Sequence, residues 1–246
     1  METAPFSWAA VSLPVARRLT TSFGLPPNTV TVIPNAVAVP PADPARRIQQ
    51  RQARRASLGL SSSAPLVIFA GRLEEKKGAD LLPALAERMH EQTGATLAAL
   101  GEGPLKTRLA QHPAARISGP LRLLGQVDDV ADWLLAGDAL VLPSRLEGCP
   151  LIALEALALG CPIVATAAAV ECFGDQASDM ASVVPEPTVV ALTTHISVML
   201  TKKCSEPCLS TATLSHLQIH NPEFMQGKYF TLLRICHAEG SHSRSG

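Results

Sequence analysis

Short apolar runs alternate along the middle of the chain with segments whose apolar positions recur at helical spacing. The runs contain four to six residues each and lie at 66–70, 95–100, 121–124, 139–142 and 162–166. The segments between them predict helices at 78–89, 104–111, 128–135 and 150–159. Because buried strands that alternate with helices form βαβ units, the pattern predicts an α/β fold whose parallel sheet is covered on both faces.

The regions on either side of this pattern are less regular. A β-rich run at 29–33 ends at a proline, and a proline-rich stretch then leads into a helix predicted at 44–58. After residue 166 the signal weakens, and the predicted helices lie at 188–200, 211–220 and 222–237. The last segment, 239–246, is rich in Ser and Gly and is expected to form a disordered tail.

The composition narrows the classes of function. Hydrophobic residues make up 47% of the 246 residues and charged residues 17%, which is enough apolar material for a packed core. The 21 Lys and Arg residues balance the 21 Asp and Glu residues, so a general nucleic-acid binder is not expected. The six cysteines are sparse, which favours a reducing, cytoplasmic location. Gly160 and Pro162 interrupt the one apolar window of nearly spanning length, 151–170.

Three motifs follow predicted strands, at the edge where a parallel sheet binds its ligands. The first runs from Gly71 to Gly78 and contains Arg72 and Lys77 beside the start of a predicted helix. An arginine fork, a lysine charge and a helix N-terminus together suit a diphosphate. The alternative is ordinary surface charge on a loop.

The second and third motifs are weaker when each is taken alone. Gly101 and Gly103 flank a glutamate before Pro104, and they fit either a close approach to a ligand or a tight turn between strand and helix. Glu147 lies in a loop, and Glu155 lies eight positions later in an otherwise apolar helix. A carboxylate at Glu155 is costly unless it is exposed or paired, and in a cleft it would accept hydrogen bonds from a ribose diol. The alternative places it on the helix's solvent face.

In this order, the three motifs resemble the carboxyl-terminal, nucleotide-sugar-binding domain of the GT-B glycosyltransferases, specifically glycosyltransferase family 4. The resembling blocks between about Ser12 and Glu171 are Val32-Ile-Pro-Asn-Ala-Val37, Phe69-Ala-Gly-Arg-Leu73 with Lys77-Gly78, Leu100-Gly-Glu-Gly-Pro104, Leu124-Gly125, Asp138-Ala-Leu-Val-Leu-Pro-Ser144, Glu147 with Glu155 at the E-x7-E spacing, and Gly160-Cys-Pro-Ile-Val-Ala-Thr166. The resemblance implies a Rossmann-like, doubly wound parallel sheet, one half-domain of the GT-B fold, within 61–238. It makes 1–40 the remnant of a largely missing amino-terminal acceptor domain and 41–60 a linker with a basic helix.

The resemblance also implies an activity: retaining transfer of a hexosyl group from a nucleotide-diphosphate donor to a glycan, lipid or small-molecule acceptor. Its catalytic residues would be Arg72 and Lys77, which hold the diphosphate, and Glu147, which contacts the sugar's hydroxyls, while Glu155 binds the ribose. The implied donor-binding set is Gly71, Arg72, Lys77, Gly103, Glu147, Gly148, Cys149, Pro150, Leu151 and Glu155. The sequence has no Asp-x-Asp motif, and neither a metal nor another cofactor is expected.

The chain departs from the family's pattern in three places. The amino-terminal domain is almost absent, so a separate subunit would supply the acceptor half, or the chain would be a fragment. Thr166 and the alanines after it stand where the family often has two glycines, and their methyl groups could block a close approach to phosphate. The carboxyl-terminal pattern is hard to find after Glu171. The alternatives are therefore a non-catalytic nucleotide-sugar-binding subunit, a degenerate fragment without a ligand and, more distantly, a sugar-nucleotide epimerase.

Two further groups of residues need an interpretation. Cys204, Cys208, His216 and His220 have a spacing that suggests zinc, but their short central gap favours buried thiols and surface histidines. The arginines between 46 and 55 predict a solvated helix face, or else a surface that attracts anionic substrates or lipid headgroups. The second interpretation would allow peripheral association with the cytoplasmic membrane.

Overall fold

The computed structural model describes residues 7–38, 43–201 and 211–242. Its strands are β1 Trp8–Ala10, β2 Val30–Val32, β3 Leu66–Ala70, β4 Thr96–Leu100, β5 Leu121–Gly125, β6 Ala139–Leu142, β7 Ile163–Thr166 and β8 Ser182–Val184. Its helices are α1 Leu13–Phe23, α2 Pro44–Ser57, α3 Leu82–Thr93, α4 Lys106–Ala110, α5 Val130–Ala136, α6 Leu151–Ala158, α7 Ala167–Val170, α8 Ala177–Met180, α9 Val189–Thr201, α10 Thr211–Ile219 and α11 Pro222–His242.

The principal sheet has six strands in the order β5-β4-β3-β6-β7-β8, and every neighbouring pair is parallel. The chain moves outward from β3 to β5 and then returns to the centre at β6, so the winding direction reverses between β3 and β6. The prediction of a doubly wound, Rossmann-like parallel sheet is confirmed. In such a sheet, ligands bind outside the carboxyl ends of the strands at the reversal point.

Helices cover both faces of this sheet, and alternate residues of the central strands divide the core between them. Leu66 and Ile68 of β3 pack with α5 and α6 in one apolar cluster. Val67 and Phe69 pack with α3 and α9 in the other. Strands buried on both faces need continuous apolar runs, which is why the sequence pattern located them. The short β8 was missed because its three residues begin with a serine and form no such run.

A small parallel sheet of β1 and β2 precedes the principal one, and α1 connects its two strands. The prediction at 29–33 overlaps with β2, whereas β1 and α1 were not predicted. The hydroxyl of Ser12 accepts a bond from the amide of Val15 and caps the start of α1. Gly24, in the left-handed conformation, ends it.

The arginines of α2 bond to partners within the fold, although Arg46 remains half-exposed to solvent. The helix packs against α5, and its arginines reach partners on the folded domain. The side chain of Arg55 is fully buried and bonds to the carboxylate of Asp138 at 2.7 Å and to the carbonyl of Ala136 at 2.6 Å. Arg51 bonds to the other carboxylate oxygen of Asp138 at 2.6 Å.

The remaining α2 arginines are bound in the same way. Their partners are Asp132 for Arg46, the carbonyl of Leu159 for Arg47, and Asp129 together with the Trp133 ring for Arg54. Long arginine stems can cover apolar surface while their charged ends bond at its margin. These side chains are therefore engaged within the fold, while Arg46 and Arg51 remain partly exposed.

The carboxyl-terminal region is helical where the structure describes it. Helix α11 continues through 239–242, which belongs to the segment expected to be disordered, and 243–246 lie outside the described residues. The apolar window 151–170 contains α6, β7 and α7 rather than one long helix. No helix among the described residues has the length and hydropathy needed to cross a membrane.

Candidate functional site

Two adjoining cavities lie at the carboxyl ends of the central strands, beside the start of α6. The larger has a volume of about 460 Å³, and the smaller about 180 Å³. Gly71, Arg72 and Leu151 line both cavities. The volume of the larger one is within the range of small-molecule sites, roughly 300–1,000 Å³. The site is therefore at the reversal point of the sheet, where a doubly wound fold binds its ligand.

The loop after β3 brings two cations to this cleft. Arg72 lies two residues beyond the end of β3, and its side chain is 68% exposed and lies 3.4 Å from the carboxylate of Glu74. Lys77 ends a short 3-10 turn and lines the smaller cavity. Gly78 follows with a φ of 71°, and a β-carbon there would lie 2.2 Å from the carbonyl oxygen of Pro143. Only glycine lets the Lys77 loop approach the loop after β6 so closely.

Lys77 and Glu147 form an ion pair in the smaller cavity. The ammonium nitrogen lies 2.7 Å from each carboxylate oxygen of Glu147. The hydroxyl of Ser144 donates to the same carboxylate at 2.9 Å, and the carbonyl of Ser144 accepts a bond from Thr166 at 2.5 Å. Neither Ser144 nor Thr166 was predicted to provide this support. The pair fixes the positions of both charged groups relative to each other.

Glu155 lies one turn inside α6 and faces the larger cavity. Among the described residues, no hydrogen bond or ion pair to its carboxylate exists. Burial raises the pKa of the Glu155 carboxyl above its ordinary value. An unpaired carboxylate in a cleft is a hydrogen-bond acceptor without a donor, which suits a ligand that carries hydroxyl groups.

The two glycines after β4 let this loop pack closely against the loop after β3. Gly101 has a φ of 130°, and a β-carbon there would lie 2.1 Å from the carbonyl oxygen of Gly71. A β-carbon at Gly103 would collide with the backbone of Leu73 at 2.5 Å. Gly101 lines the larger cavity, whereas Gly103 lines neither. For Gly103, the structure favours the tight turn over close approach to a ligand.

The loop before α6 is held by the amino-terminal segment. The carbonyl of Gly148 accepts a bond from the Ser12 hydroxyl at 2.7 Å, and the carbonyl of Cys149 accepts one from the Asn35 amide at 2.9 Å. Pro150 lines the smaller cavity, but Gly148 and Cys149 line neither. Of the predicted donor-binding residues, the structure thus brings seven together in the cleft, namely Gly71, Arg72, Lys77, Glu147, Pro150, Leu151 and Glu155.

Cys149 lies beside Cys172, and the two thiols interact. A hydrogen bond from Cys172 lowers the pKa of Cys149, and the same contact together with burial raises the pKa of Cys172. Both are free cysteines.

Residues Cys204 and Cys208 of the suggested zinc motif lie outside the described residues. His216 and His220 are buried, with ring centroids 4.6 Å apart, so the expectation of surface histidines is wrong. Burial and the neighbouring His220 lower the pKa of His216 to about 4, which keeps this side chain neutral near pH 7. Within 7–38, 43–201 and 211–242, no cluster of three potential metal ligands is present.

A sequence profile identifies the family. The profile described as Glycosyl transferases group 1 matches residues 64–202, more than half of the chain. The chain belongs to this family. The match includes β3 to β8 and therefore every strand that forms the cleft.

The chain is similar to several curated glycosyltransferases over part of their length. D-inositol 3-phosphate glycosyltransferase from Jonesia denitrificans is 32% identical over 166 residues, which cover 61% of this chain and 38% of that protein. Glycogen synthase from Alkalilimnicola ehrlichii is 39% identical over 134 residues, which cover 51% of this chain and 27% of that protein. The chain thus spans well under half the length of these relatives.

Solved structures of glycosyltransferases share the fold. HepE from Anabaena, in complex with UDP, superposes with a TM-score of 0.76 over 92% of this chain and 63% of that one, at 16% identity. A glycosyltransferase from Rickettsia africae superposes with a TM-score of 0.77 over 94% of this chain and 64% of that one, at 15% identity. The GT-B half-domain architecture is confirmed by this likeness.

Proposed function

We propose that this chain supplies the donor site of a retaining glycosyltransferase, which transfers a hexosyl group from a nucleoside diphosphate to a glycan, lipid or small-molecule acceptor. The observation that carries the proposal is the convergence of Arg72, Lys77, Glu147 and Glu155 on one cleft. Two cations and two carboxylates there match the parts of a nucleotide sugar. HepE, which shares the fold, is known in complex with UDP-glucose.

The diphosphate lies between Arg72 and Lys77 in this proposal. Breaking the bond between sugar and diphosphate leaves additional negative charge on the departing phosphate. Fixed cations stabilise that charge without having to reorganise during the reaction. Lys77 has an ammonium with three donors, which bonds to both carboxylate oxygens of Glu147. The exposed Arg72 is available to close over the phosphates when the donor binds.

The nucleoside occupies the larger cavity. Glu155 accepts hydrogen bonds from the ribose hydroxyls, since no side chain among the described residues bonds to its carboxylate. The base lies against Val127 and Val130, which the sequence analysis did not identify. The donor's sugar lies in the smaller cavity, where Glu147 contacts its hydroxyls. We assign Glu147 this binding role and not that of a nucleophile.

The cleft is open on one side. Arg72 is 68% exposed and Leu151 is 47% exposed, although both line its walls. A surface that closes over the donor and binds the acceptor would complete the site. This openness favours, as a second candidate, a non-catalytic subunit that binds a nucleotide sugar and requires an acceptor-binding partner.

Two measurements separate these possibilities. One is stabilisation of the protein by nucleotides, and the other is sugar release, the cleavage of a nucleotide sugar into sugar and nucleoside diphosphate. Thermal unfolding is measured with UDP, GDP, ADP and their glucose conjugates, and free nucleoside diphosphate is then quantified. A ligand at one hundred times its dissociation constant stabilises by about 2.7 kcal/mol. Such a gain raises the melting temperature of a chain of this size by several degrees.

The decisive variant is Lys77→Ala, and its matched control is Lys106→Ala, which removes a lysine paired with Glu102 at the edge of the same cleft. The proposal expects Lys77→Ala to weaken stabilisation and to abolish sugar release, and Lys106→Ala to preserve both. Stabilisation without release would support the non-catalytic subunit. The absence of stabilisation with every nucleotide tested would refute both candidates.

A further inference from the structure

Arg145 binds the segment that carries Lys77, although it lies in a different loop. Its guanidinium makes two parallel bonds to the carboxylate of Asp80, at 2.7 and 2.8 Å. The same guanidinium bonds to the carbonyl of Glu75, and the backbone amide of Arg145 donates to the carbonyl of Lys76 at 2.9 Å. All of these bonds end on residues that flank Lys77 on both sides.

The electrostatic environment indicates that the Arg145–Asp80 pair is well formed. The Asp80 side chain is only 19% exposed, and hydrogen bonding from Arg145 lowers the pKa of its carboxyl below the ordinary value. Two parallel bonds between an arginine and a carboxylate also fix the relative orientation of the two groups. Neither residue lines the cavities, so neither side chain is placed to contact the ligand directly.

A backbone contact joins the same two loops. Gly78 lies against the carbonyl of Pro143 so closely that any β-carbon would collide with it. The loop after β3 carries Lys77, and the loop after β6 carries Glu147. The contacts of Arg145 and Gly78 therefore hold the two halves of the ion-pair site together.

We infer that Arg145 and Asp80 are positioning residues that fix the Lys77 loop so that the ammonium is held where the donor's diphosphate binds. This inference rests on the proposed function. Lysine has a long, flexible side chain, and a mobile loop would add further freedom that binding would have to remove. An ammonium held in place by its supporting loop stabilises charge at a lower entropic cost.

The ordinary alternative is a surface ion pair that contributes a little stability and nothing else. Binding of nucleotides distinguishes the two, because a positioning role concerns the diphosphate and not the nucleoside. Dissociation constants are measured for UDP, GDP and ADP and for uridine, guanosine and adenosine. The proteins are wild type, Arg145→Ala, Asp80→Asn, Lys77→Ala and the double variant with Arg145→Ala and Lys77→Ala.

We expect Arg145→Ala and Asp80→Asn each to raise the dissociation constant of the nucleoside diphosphate at least about fivefold. The dissociation constant of the nucleoside should stay unchanged. In the Lys77→Ala background, Arg145→Ala should have no further effect, because residues that act through one another are not additive. Arg116→Ala is the matched control, since Arg116 is an exposed arginine in the loop before the edge strand β5 and lines neither cavity, and it should leave all dissociation constants unchanged.

Three results would overturn the inference. The first is an equal loss of affinity for the nucleoside and for the nucleoside diphosphate. The second is that Arg145→Ala lowers the affinity as much in the Lys77→Ala background as in wild type. The third is unchanged hydrogen exchange in peptide 73–81 of Arg145→Ala. The exchange measurement needs no ligand, and faster exchange confined to that peptide is the expected result. If wild type binds none of the nucleotides while it remains folded, the proposed function fails, and this inference fails with it.

Discussion

If the donor's diphosphate binds at Lys77 as proposed, Glu147 competes with it, and a single substitution measures that competition. The Lys77 ammonium lies 2.7 Å from both carboxylate oxygens of Glu147. The side chains are 28% and 10% exposed, so water screens the attraction only in part. Glu147→Gln keeps the shape of the side chain and one acceptor oxygen but removes its charge.

The expected effect follows from the energy of the contact. A hydrogen bond to a charged group contributes about 1.5–3 kcal/mol, roughly twice the value of a neutral one. Removing the charge on Glu147 should therefore weaken its interaction with the Lys77 ammonium by about 1 kcal/mol or slightly more. It also removes the repulsion between the carboxylate and the phosphate. We expect Glu147→Gln to bind nucleoside diphosphate about five- to tenfold more tightly, while sugar release is lost.

Calorimetric titration with UDP, GDP and ADP measures this effect. The matched control is Glu102→Gln, because Glu102 lines the larger cavity but pairs with Lys106 and not with Lys77. The control should change the affinity much less. The account of the Lys77–Glu147 pair would be refuted if Glu147→Gln bound the diphosphate no more tightly than wild type, or if Glu102→Gln produced the same gain.

Three further substitutions test other parts of the structure. Arg55→Ala removes a fully buried guanidinium and leaves the Ala136 carbonyl and one oxygen of Asp138 without that donor, so it should lower the free energy of unfolding in urea by about 2–4 kcal/mol, whereas the half-exposed Arg46→Ala should cost less than about 1 kcal/mol; equal losses would contradict this. Glu155→Gln should unfold at a higher temperature than wild type at neutral pH. Burial raises the pKa of the Glu155 carboxyl in the folded state, so wild-type stability falls as pH rises through this pKa, and an unchanged pH dependence in the variant would contradict this explanation. Gly78→Ala should destabilise more than Gly24→Ala in urea, because both have a φ near 70° but only Gly78 has a backbone carbonyl within 2.2 Å; similar losses would exclude the clash.

Much of the fold could be predicted from local patterns. A strand buried on both faces needs a run of apolar residues, so β3, β4, β5, β6 and β7 were predicted to within one or two residues. The same reasoning could not find β1 or β8, because each has only three residues, too few to form an apolar run of the length used to locate strands, and β8 begins with a serine. Their pairing with neighbouring strands, and not their own composition, makes them strands.

The site was predicted less completely, because its contacts join distant parts of the chain. Parallel strands bring their carboxyl ends to one edge, so Arg72, Lys77 and Glu155 could be placed near one another. The Arg145–Asp80 pair joins residues 65 positions apart, and no local pattern indicates it. The partners of the α2 arginines could not be predicted for the same reason, because they lie more than 70 positions away along the chain.

The central claim is that the cleft binds a nucleoside diphosphate with Glu155 at the ribose. Calorimetric titration of wild type and Glu155→Ala with UDP, GDP and ADP tests this most directly. The account predicts that at least one nucleotide binds wild type and that Glu155→Ala weakens it at least about tenfold, equivalent to about 1.4 kcal/mol. Equal affinity in the two proteins, or no binding to folded wild type, would contradict the account.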